Sequence, residues 1–508
     1  MQETGTFEVK RTAPAGLRRK IKHARERRRR RKLEKRTSAW SSGLEMTDGA
    51  TGLVPAAGVP LLRLLAETSG VRGQVSTALQ VPGFHPGHDR GQVLVDVAIG
   101  LAMGAASVSA AMSTTAAASA VAGQIASGVT AWRLLDQELD GVMLEKLARA
   151  RAAHRRRIWS LLAARPEGFP WVRVAGQVWD GWLVLDVDAS LVETHSEKEG
   201  AAPTYKKHIF GLHPILVTCA NTGEILTILL RPGNAGSNTT DDHITVLTEA
   251  IAQLPARYRK KIIFRSDGAG ATKDLLKWIK QTAANDGYTW HYSVGFDVTQ
   301  PIRDAIVKVP EKAWACAITP DGKIRDRAYV AELTGLLDLN RDQDGWPEHM
   351  RVVARLEPLH PKHRKNASTI EKRRGQRFQA VAHDLPGHHY PRQDAFHRDH
   401  ADVESVIKDG KNLGLRRLPF YALAANQAWC HAVMLAADLL AWLRLLVLDH
   451  HPHLRRATPA TLRRLLFAVP ARLVRRARKR LIRLCADHPH TADLITAWNK
   501  IRALAAPT

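Results

Sequence analysis

Two acids, Asp186 and Asp188, close the short apolar run that starts at Trp182, and a third, Asp267, closes the run Lys261 to Arg265 that leads into Ser266-Asp267-Gly268. Carboxylates at the ends of buried strands are the donors that divalent ions need for cutting a phosphodiester. One ion activates the attacking oxygen and a second stabilises the leaving oxygen of an in-line displacement. Mg²⁺ suits the task because it takes few carboxylates and keeps positions for water and phosphate. Gly268-Ala269-Gly270 after Asp267 leaves room for backbone or phosphate. A single acid at a strand end is commonly a cap or turn former; two at matching strands of one domain shift the balance toward a shared site. A third carboxylate comes from residues 394–412. Placed on a helix at about 100° per residue, His397, His400, Glu404, Lys408 and Lys411 fall within roughly 80° of arc, with Asp399, Asp402 and Asp409 elsewhere. A metal-binding Glu among phosphate-binding cations looks like this. So does a solvated face with a Glu404–Lys408 pair.

The elements that must hold these acids follow from the hydrophobic pattern. Strands are predicted at Trp182–Asp188, Ile209–Cys219 and Ile225–Leu230, the last two joined by Ala220-Asn221-Thr222-Gly223. A helix over 241–253, a strand over 261–265, a helix over 271–285 and a strand over 290–295 come next. Strand, strand, strand, helix, strand, helix, strand is the order of an RNase H-like domain, an antiparallel hairpin beside a parallel sheet. The expected fold class is therefore α/β, with an RNase H-like catalytic core interrupted by a β-rich insertion and with helical N-terminal and C-terminal regions. The core occupies 178–300, and the insertion 301–392 has β-like runs at 314–318, 351–356 and 377–382. The core resumes over 393–450 with the helix of the third acid, and a basic helical region fills 451–508. Upstream, residues 55–175 read as a helical DNA-binding region. Leu61, Leu62, Leu64 and Leu65 repeat at helical spacing up to Gly70, and a second short helix spans 71–79, the size of a helix-turn-helix or of a plain core pair. Residues 1–50 are crowded with Lys and Arg, most densely from Arg27 to Lys32, and are expected to form a disordered basic arm.

The 508 residues suffice for several domains, and 45% apolar with 24% charged residues is a globular composition. A net charge of +26 and a pI near 10.3 call for a polyanionic partner, nucleic acid before anionic membrane. The apolar stretches Val93–Val121 and Ala432–Leu448 are interrupted by Asp96, and by Asp438 and Arg444, and read as buried helices, so no membrane partner is expected. Cys219, Cys316, Cys430 and Cys485 form no CxxC pair, which argues against a disulfide framework or zinc cluster and fits a reducing cytoplasm. No signal peptide is visible. His195, His213 and His243 lie near the acids and read as packing or DNA contacts, because the carboxylates already supply a metal site.

Several stretches resemble a family. Glu404 and Lys411 in HRDHADVESVIKDGK occupy the last two places of the pattern Tyr-x2-Arg-x3-Glu-x6-Lys, which marks the YREK branch of the DDE transposases of bacterial insertion sequences. His397 and His400 stand where that pattern has Tyr and Arg. LVLDVDASLVETHSEKEGAAPTYKKHIFGLHPIL, LLRPGNAGSNTTDDH, FRSDGAGATKDLL and NLGLRRLPFYALAANQAWCHAVMLAADLLAW resemble the insertion sequence thirteen-eighty group of that branch, over roughly residues 55–450. The resemblance implies catalytic, metal-binding acids at Asp188, Asp267 and Glu404. Asp186 is the rival for the first place, and Asp188 is preferred because Ala189-Ser190 resembles the family's Asp-x-Thr/Ser. It implies two ions of Mg²⁺, or Mn²⁺ in its place, with Asp188 shared between them. It also implies a dimer that pairs terminal inverted repeats, cuts them and joins them to target DNA in a bacterial cytoplasm, at the nucleoid. Lys408, Lys411, His397, His400 and Arg231 are the candidate DNA contacts by charge and position. Two other functions fit the same residues: a DNA-binding regulator or inactive domesticated transposase, suggested by the two histidines, and an RNase H-like nuclease that cuts without joining.

Overall fold

The computed structural model describes residues 16, 19–20, 22–29, 51–195, 197–206, 209–236, 239–339, 345–477 and 479–504. The chain divides into two compact units, 1–51 and 52–508. In the first, residues 16, 19–20 and 22–29 are helical with exposed side chains. Ala, Arg, Lys and Glu are all strong helix formers, so local propensity favours a helix even where no core can form. The rest of the arm lies outside the described residues.

The second unit opens with helices. α1 (Gly58–Ser69) and α2 (Val71–Ala78) meet at Gly70, whose φ of 91° gives α1 a left-handed cap and starts α2 at once. The Ala/Gly/Ser-rich stretch that follows becomes α3 (Arg90–Ala102), buried on every side, and α4 (Val108–Ala116). α5 (Gly141–Ala163) lies against α2.

Next come the strands that position the acids: β1 (Leu183–Ala189), β2 (Ile215–Cys219) and β3 (Glu224–Leu229). The single strand expected over 209–219 is broken at His213-Pro214, and Phe210–Leu212 joins a separate three-stranded sheet with 192–193 and 202–203. After α6 (Thr240–Ala252) comes β4 (Lys261–Ser266), then α7 (Lys273–Asn285) and β5 (Thr289–Phe296). β1 pairs antiparallel with β2 and β2 with β3, while β4 runs parallel to both β1 and β5. Across this part of the sheet the strands stand in the order β3-β2-β1-β4-β5.

The insertion does not build a sheet of its own. β6 (Ala315–Ile318), β7 (Ile324–Glu332), β8 (Arg351–Pro358) and β9 (Gln376–His383) continue the same sheet, with β9 antiparallel to β5. β7 escapes the sequence reading because Arg325, Asp326 and Arg327 interrupt its apolar alternation.

The helix expected over 394–412 is three pieces. α8 (Tyr390–Arg398) passes through a 3₁₀ turn at Asp399–Ala401 into α9 (Asp402–Gly410), and a π-helical turn, Lys411–Leu415, closes it at Gly414 with φ 123°. The Gly414 carbonyl accepts from the Trp429 indole of α10 (Leu423–Trp442) at 3.0 Å. The segment Leu423–Val447 is long and apolar enough to cross a membrane, but it is buried inside the protein against β3 and α3.

The C-terminal region is not wholly helical. β10 (Ala471–Arg476) and β11 (Lys479–Leu484) form a hairpin that takes Leu53–Val54 as its third strand, before α11 (Thr491–Arg502) ends the fold. Arg475, Arg476, Lys479 and Arg480 therefore lie at the ends of the two hairpin strands next to their connection. The apolar pairs Leu473-Val474 and Leu481-Ile482 are flanked by cations and do not alternate with them, so no strand period of two stands out.

Candidate active site

Strand alternation decides where the acids face. Leu183, Leu185 and Val187 of β1 and Ile262 and Phe264 of β4 enter the main core, while Val184 and Ile263 enter a smaller one with Ala395 and Phe396 of α8. Asp186, Asp188 and Arg265 must share that second face. Asp186 and Arg265 are register partners, and Ser266 pairs with Val187. One step further the register sets Asp267 opposite Asp188, on strands about 4.8 Å apart. The Asp267 loop turns tightly: its carboxylate accepts from the Ala269 amide at 2.9 Å. Gly295 of β5 lets the loop in, because a Cβ there would stand 2.8 Å from the Gly268 nitrogen.

Asp186 serves the fold. It is 1% exposed and receives Arg265 Nε and Nη2 at 2.7 and 2.9 Å, with His400 Nδ1 at 2.8 Å. Burial would raise its pKa, but Arg265 and His400 hold it below the usual carboxylate value. Arg265 Nη1 also donates to the Phe396 carbonyl at 2.8 Å and to Asp399 at 3.2 Å. One guanidinium thus ties β4 and β1 to the end of α8, just before the helix that carries Glu404. Asp399, expected to point away, is drawn inward because the 3₁₀ turn adds rotation that a uniform helix lacks.

Asp188 behaves differently. Burial raises its carboxyl to about 6, Asp267 and Glu404 add to the rise, and His400 and the Ala189 amide oppose it. Two carboxylates distant in the chain, Asp267 and Glu404, therefore lie near enough to Asp188 to bear on its charge. The three acids are not packed into one knot of ligand atoms. Among the described residues, the group with donor atoms all within 4.8 Å of one another is His451, His490 and Asp493. Like charges with no cation between them are expected to stand apart, and Asp267 and Glu404 are both exposed.

The expected DNA contacts separate into two groups. Lys408 is exposed on α9, and Lys411 is half-buried beside the acids. Burial lowers the Lys411 ammonium, Arg416 and Lys206 lower it further, and Asp188 opposes them, so these four groups are neighbours. Lys206 and Arg416, which the sequence reading did not single out, are exposed. Both lie inside the stretches that carry the family resemblance, and that position, not spacing, was the signal available. His397 is not a cation: burial, with His400, Arg265 and Arg355 nearby, pushes it down to about 3, and Nδ1 lies 3.1 Å from Ser293 Oγ. His400 points at Asp186.

Arg231 is a correction. It is 3% exposed, and its guanidinium donates to the His213 and Gly236 carbonyls at 3.0 and 2.9 Å and to Asp242 at 2.8 Å. A phosphate cannot reach a guanidinium spent in this way. Arg231→Ala is expected to lose about 1.5–3 kcal/mol of stability, the usual value of charged hydrogen bonds. Its DNA affinity, measured on the folded fraction, should stay unchanged. A selective loss of affinity without a lower melting temperature would reverse the assignment. His213 and His243 are likewise buried, their Nδ1 atoms 3.1 and 2.9 Å from the carbonyls of Ala235 and Thr239, while His195 is exposed.

The sheet thus sets Asp188 and Asp267 on neighbouring strands, with Glu404 and the cation Lys411 near Asp188. The sequence matches the family Transposase DDE domain group 1 over residues 45–506, and the chain belongs to that family. It is a DDE transposase by family. A cryo-EM structure of a piggyBac transposase synaptic complex with hairpin DNA is similar over 80% of this chain and 78% of that one, at 8% identity and a TM-score of 0.36. No curated protein matches the sequence.

Proposed function

We propose that the chain cuts the ends of a mobile DNA element and joins them to target DNA, with Asp188, Asp267 and Glu404 as its catalytic carboxylates on an RNase H-like core of the YREK branch. The observation that carries this reading is the strand register that sets Asp267 opposite Asp188 on one face of the sheet, and the raised Asp188 carboxyl, on which Asp267 and Glu404 both bear, agrees with it. The strand order and directions fit an RNase H-like core, and the family supplies the reaction class.

DDE transposases normally use divalent ions, and the residues present fit them. Asp188, raised by Asp267 and Glu404 and in no Lys or Arg ion pair among the described residues, belongs to a hard-cation donor set whose repulsion a divalent charge relieves. When bound, such ions supply activation of the attacking oxygen and stabilisation of the leaving one. Asp188, Asp267 and Glu404 would hold them. Asp186 is set aside as a ligand, since Arg265 and His400 engage both its oxygens. Lys411, with Lys206 and Arg416, is placed to bind backbone phosphates beside the acids, and Lys408 lies one helical turn away on α9. Arg265 fixes the approach of the Glu404 helix to the two strands. Recognition of inverted repeats, pairing of ends by a homodimer and a bacterial cytoplasmic site of action belong to the same proposal.

The test is to incubate the purified full-length chain with labelled element ends, with and without Mg²⁺. Cut and joined products that appear only with the metal are expected. Cutting without joining would favour a nuclease, and binding without cutting in either Mg²⁺ or Mn²⁺ would favour a regulator.

A further inference from the structure

Two His-Pro-His segments, His451-Pro452-His453 and His488-Pro489-His490, lie far apart in sequence and meet in space. The first turns into a short helix after α10; the second leads directly into α11, whose first turn carries Asp493. The rings form a row, with centroids 6.2 Å apart for His453 and His451, 6.3 Å for His451 and His490, and 6.1 Å for His490 and His488. At the middle of the row sits one carboxylate oxygen. Asp493 Oδ2 is 2.9 Å from His490 Nδ1 and 3.8 Å from His451 Nε2.

We propose that His451, His490 and Asp493 bind a divalent transition metal of the zinc type, which clasps α11 to the turn after α10. Four arguments support it. One ligand atom from each residue falls within 4.8 Å of the others. A tetrahedral ion with nitrogen and oxygen ligands at about 2.0–2.1 Å needs them roughly 3.3–3.4 Å apart, and the two separations to Oδ2 bracket that value. Among the described residues, the ion-pair partners of Asp493 are the two histidines and no Lys or Arg; nearby Lys500 is taken up by Asp449 at 2.6 Å. Proline after the first histidine of each segment restricts the backbone, so the rings are held near their places before any ligand arrives. The three side chains are each about a quarter exposed, which leaves access and the remaining coordination position to water, His453 or His488.

Loading has a specific consequence at His451. Its Nδ1 accepts from the Leu454 amide at 3.2 Å, so the ring proton sits on Nε2. With Nε2 on a metal, the proton moves to Nδ1 and the Leu454 amide gives up that acceptor. Two imidazoles and one carboxylate favour Zn²⁺, Co²⁺, Ni²⁺ or Cu²⁺ over Mg²⁺, which prefers oxygen ligands alone. The site is therefore chemically separable from the three catalytic carboxylates.

Co²⁺ is the probe. The metal-free full-length chain is titrated with Co²⁺ in excess Mg²⁺, which competes at the catalytic acids, and the visible absorption of four-coordinate cobalt is read. One equivalent displaced by Zn²⁺ is expected. His490→Ala and Asp493→Asn should each weaken binding at least 10-fold, while Asp188→Asn leaves it unchanged. Thermal melting without metal checks that the variants fold, and Asp493→Asn keeps nearly the same shape. The proposal fails if the wild-type chain shows no such spectrum at tens of micromolar cobalt, or if both variants bind as the wild type does.

Discussion

Asp188→Asn is expected to lower Mg²⁺-dependent cleavage and joining by about 10³-fold or more, and to make the metal-free protein more stable. The loss of activity follows if Asp188 is the acid the metal ions share. The gain in stability follows from its environment. Burial, Asp267 and Glu404 raise the folded-state carboxyl from 3.8 to about 6. A carboxyl whose folded pKa lies above its unfolded value binds its proton more tightly when folded, so its ionisation costs stability. The cost is absent below about pH 4, grows as pH rises through 6 and is complete above it. At 1.36 kcal/mol per pKa unit the upper bound is about 3 kcal/mol. The melting temperature of Asp188→Asn should therefore exceed that of the wild type at pH 8 and match it near pH 4. Asp267→Asn and Glu404→Gln should share the loss of activity. Asp186→Asn should behave in the opposite sense in stability, because it strips Arg265 of its partner at a cost of about 3–5 kcal/mol. Cleavage by Asp188→Asn at the wild-type rate would remove that residue from the site, and equal destabilisation of both variants would remove the electrostatic argument.

Much of this arrangement is legible in the sequence because strands carry strong local signals. Four of the five strands that order the acids are short apolar runs that fall within one residue of their expected places, while β2 starts six residues late, after His213-Pro214. Asp188 and Asp267 are legible as candidates because they close such runs. Glu404 is harder. A uniform helix over 394–412 gives the correct spacing from Glu404 to Lys411 but the wrong direction for Asp399, since a 3₁₀ turn stands between α8 and α9. Tertiary partners are not encoded locally. Asp186 and Asp188 look alike as acids at a strand end, and Arg265, the buried cation of the run Lys-Ile-Ile-Phe-Arg-Ser, takes Asp186 as its partner. A charge in a buried strand requires a counter-charge, and that signal was available. Arg231 shows the reverse error. A basic residue near a motif reads as a phosphate contact until its own carbonyl and carboxylate partners are known. The hairpin of β10 and β11 was missed because its cations resemble a basic helix as readily as a strand.

Glu224→Gln is expected to destabilise the chain by about 3–5 kcal/mol, a loss on the order of 5 °C in melting temperature for a protein of this size. Glu224 begins β3 at the end of the sheet away from Asp188, and it is completely buried. Its carboxylate accepts from Arg155 Nε at 2.9 Å, from the Trp159 indole at 2.7 Å and from the Trp442 indole at 3.1 Å. Arg155 continues to Gln253 at 2.7 Å and to Asp438 at 3.3 Å, and Arg151 holds Asp438 with Nε and Nη2 at 3.0 and 2.8 Å. Two cations and two anions close a neutral set among α5, β3, α6 and α10. Removing one charge leaves Arg155 buried without its partner, and the desolvation cost exceeds the value of the lost hydrogen bond. Arg155→Met combined with Glu224→Gln should recover part of the loss, and a double-mutant cycle should show coupling of at least about 1 kcal/mol. The same cycle separates scaffold from chemistry: cleavage by the folded fraction of Glu224→Gln should equal that of the wild type. A destabilisation under about 1 kcal/mol, or additive effects in the cycle, would mean that water or packing takes up the orphaned guanidinium and that apolar contacts alone fix these elements to the sheet.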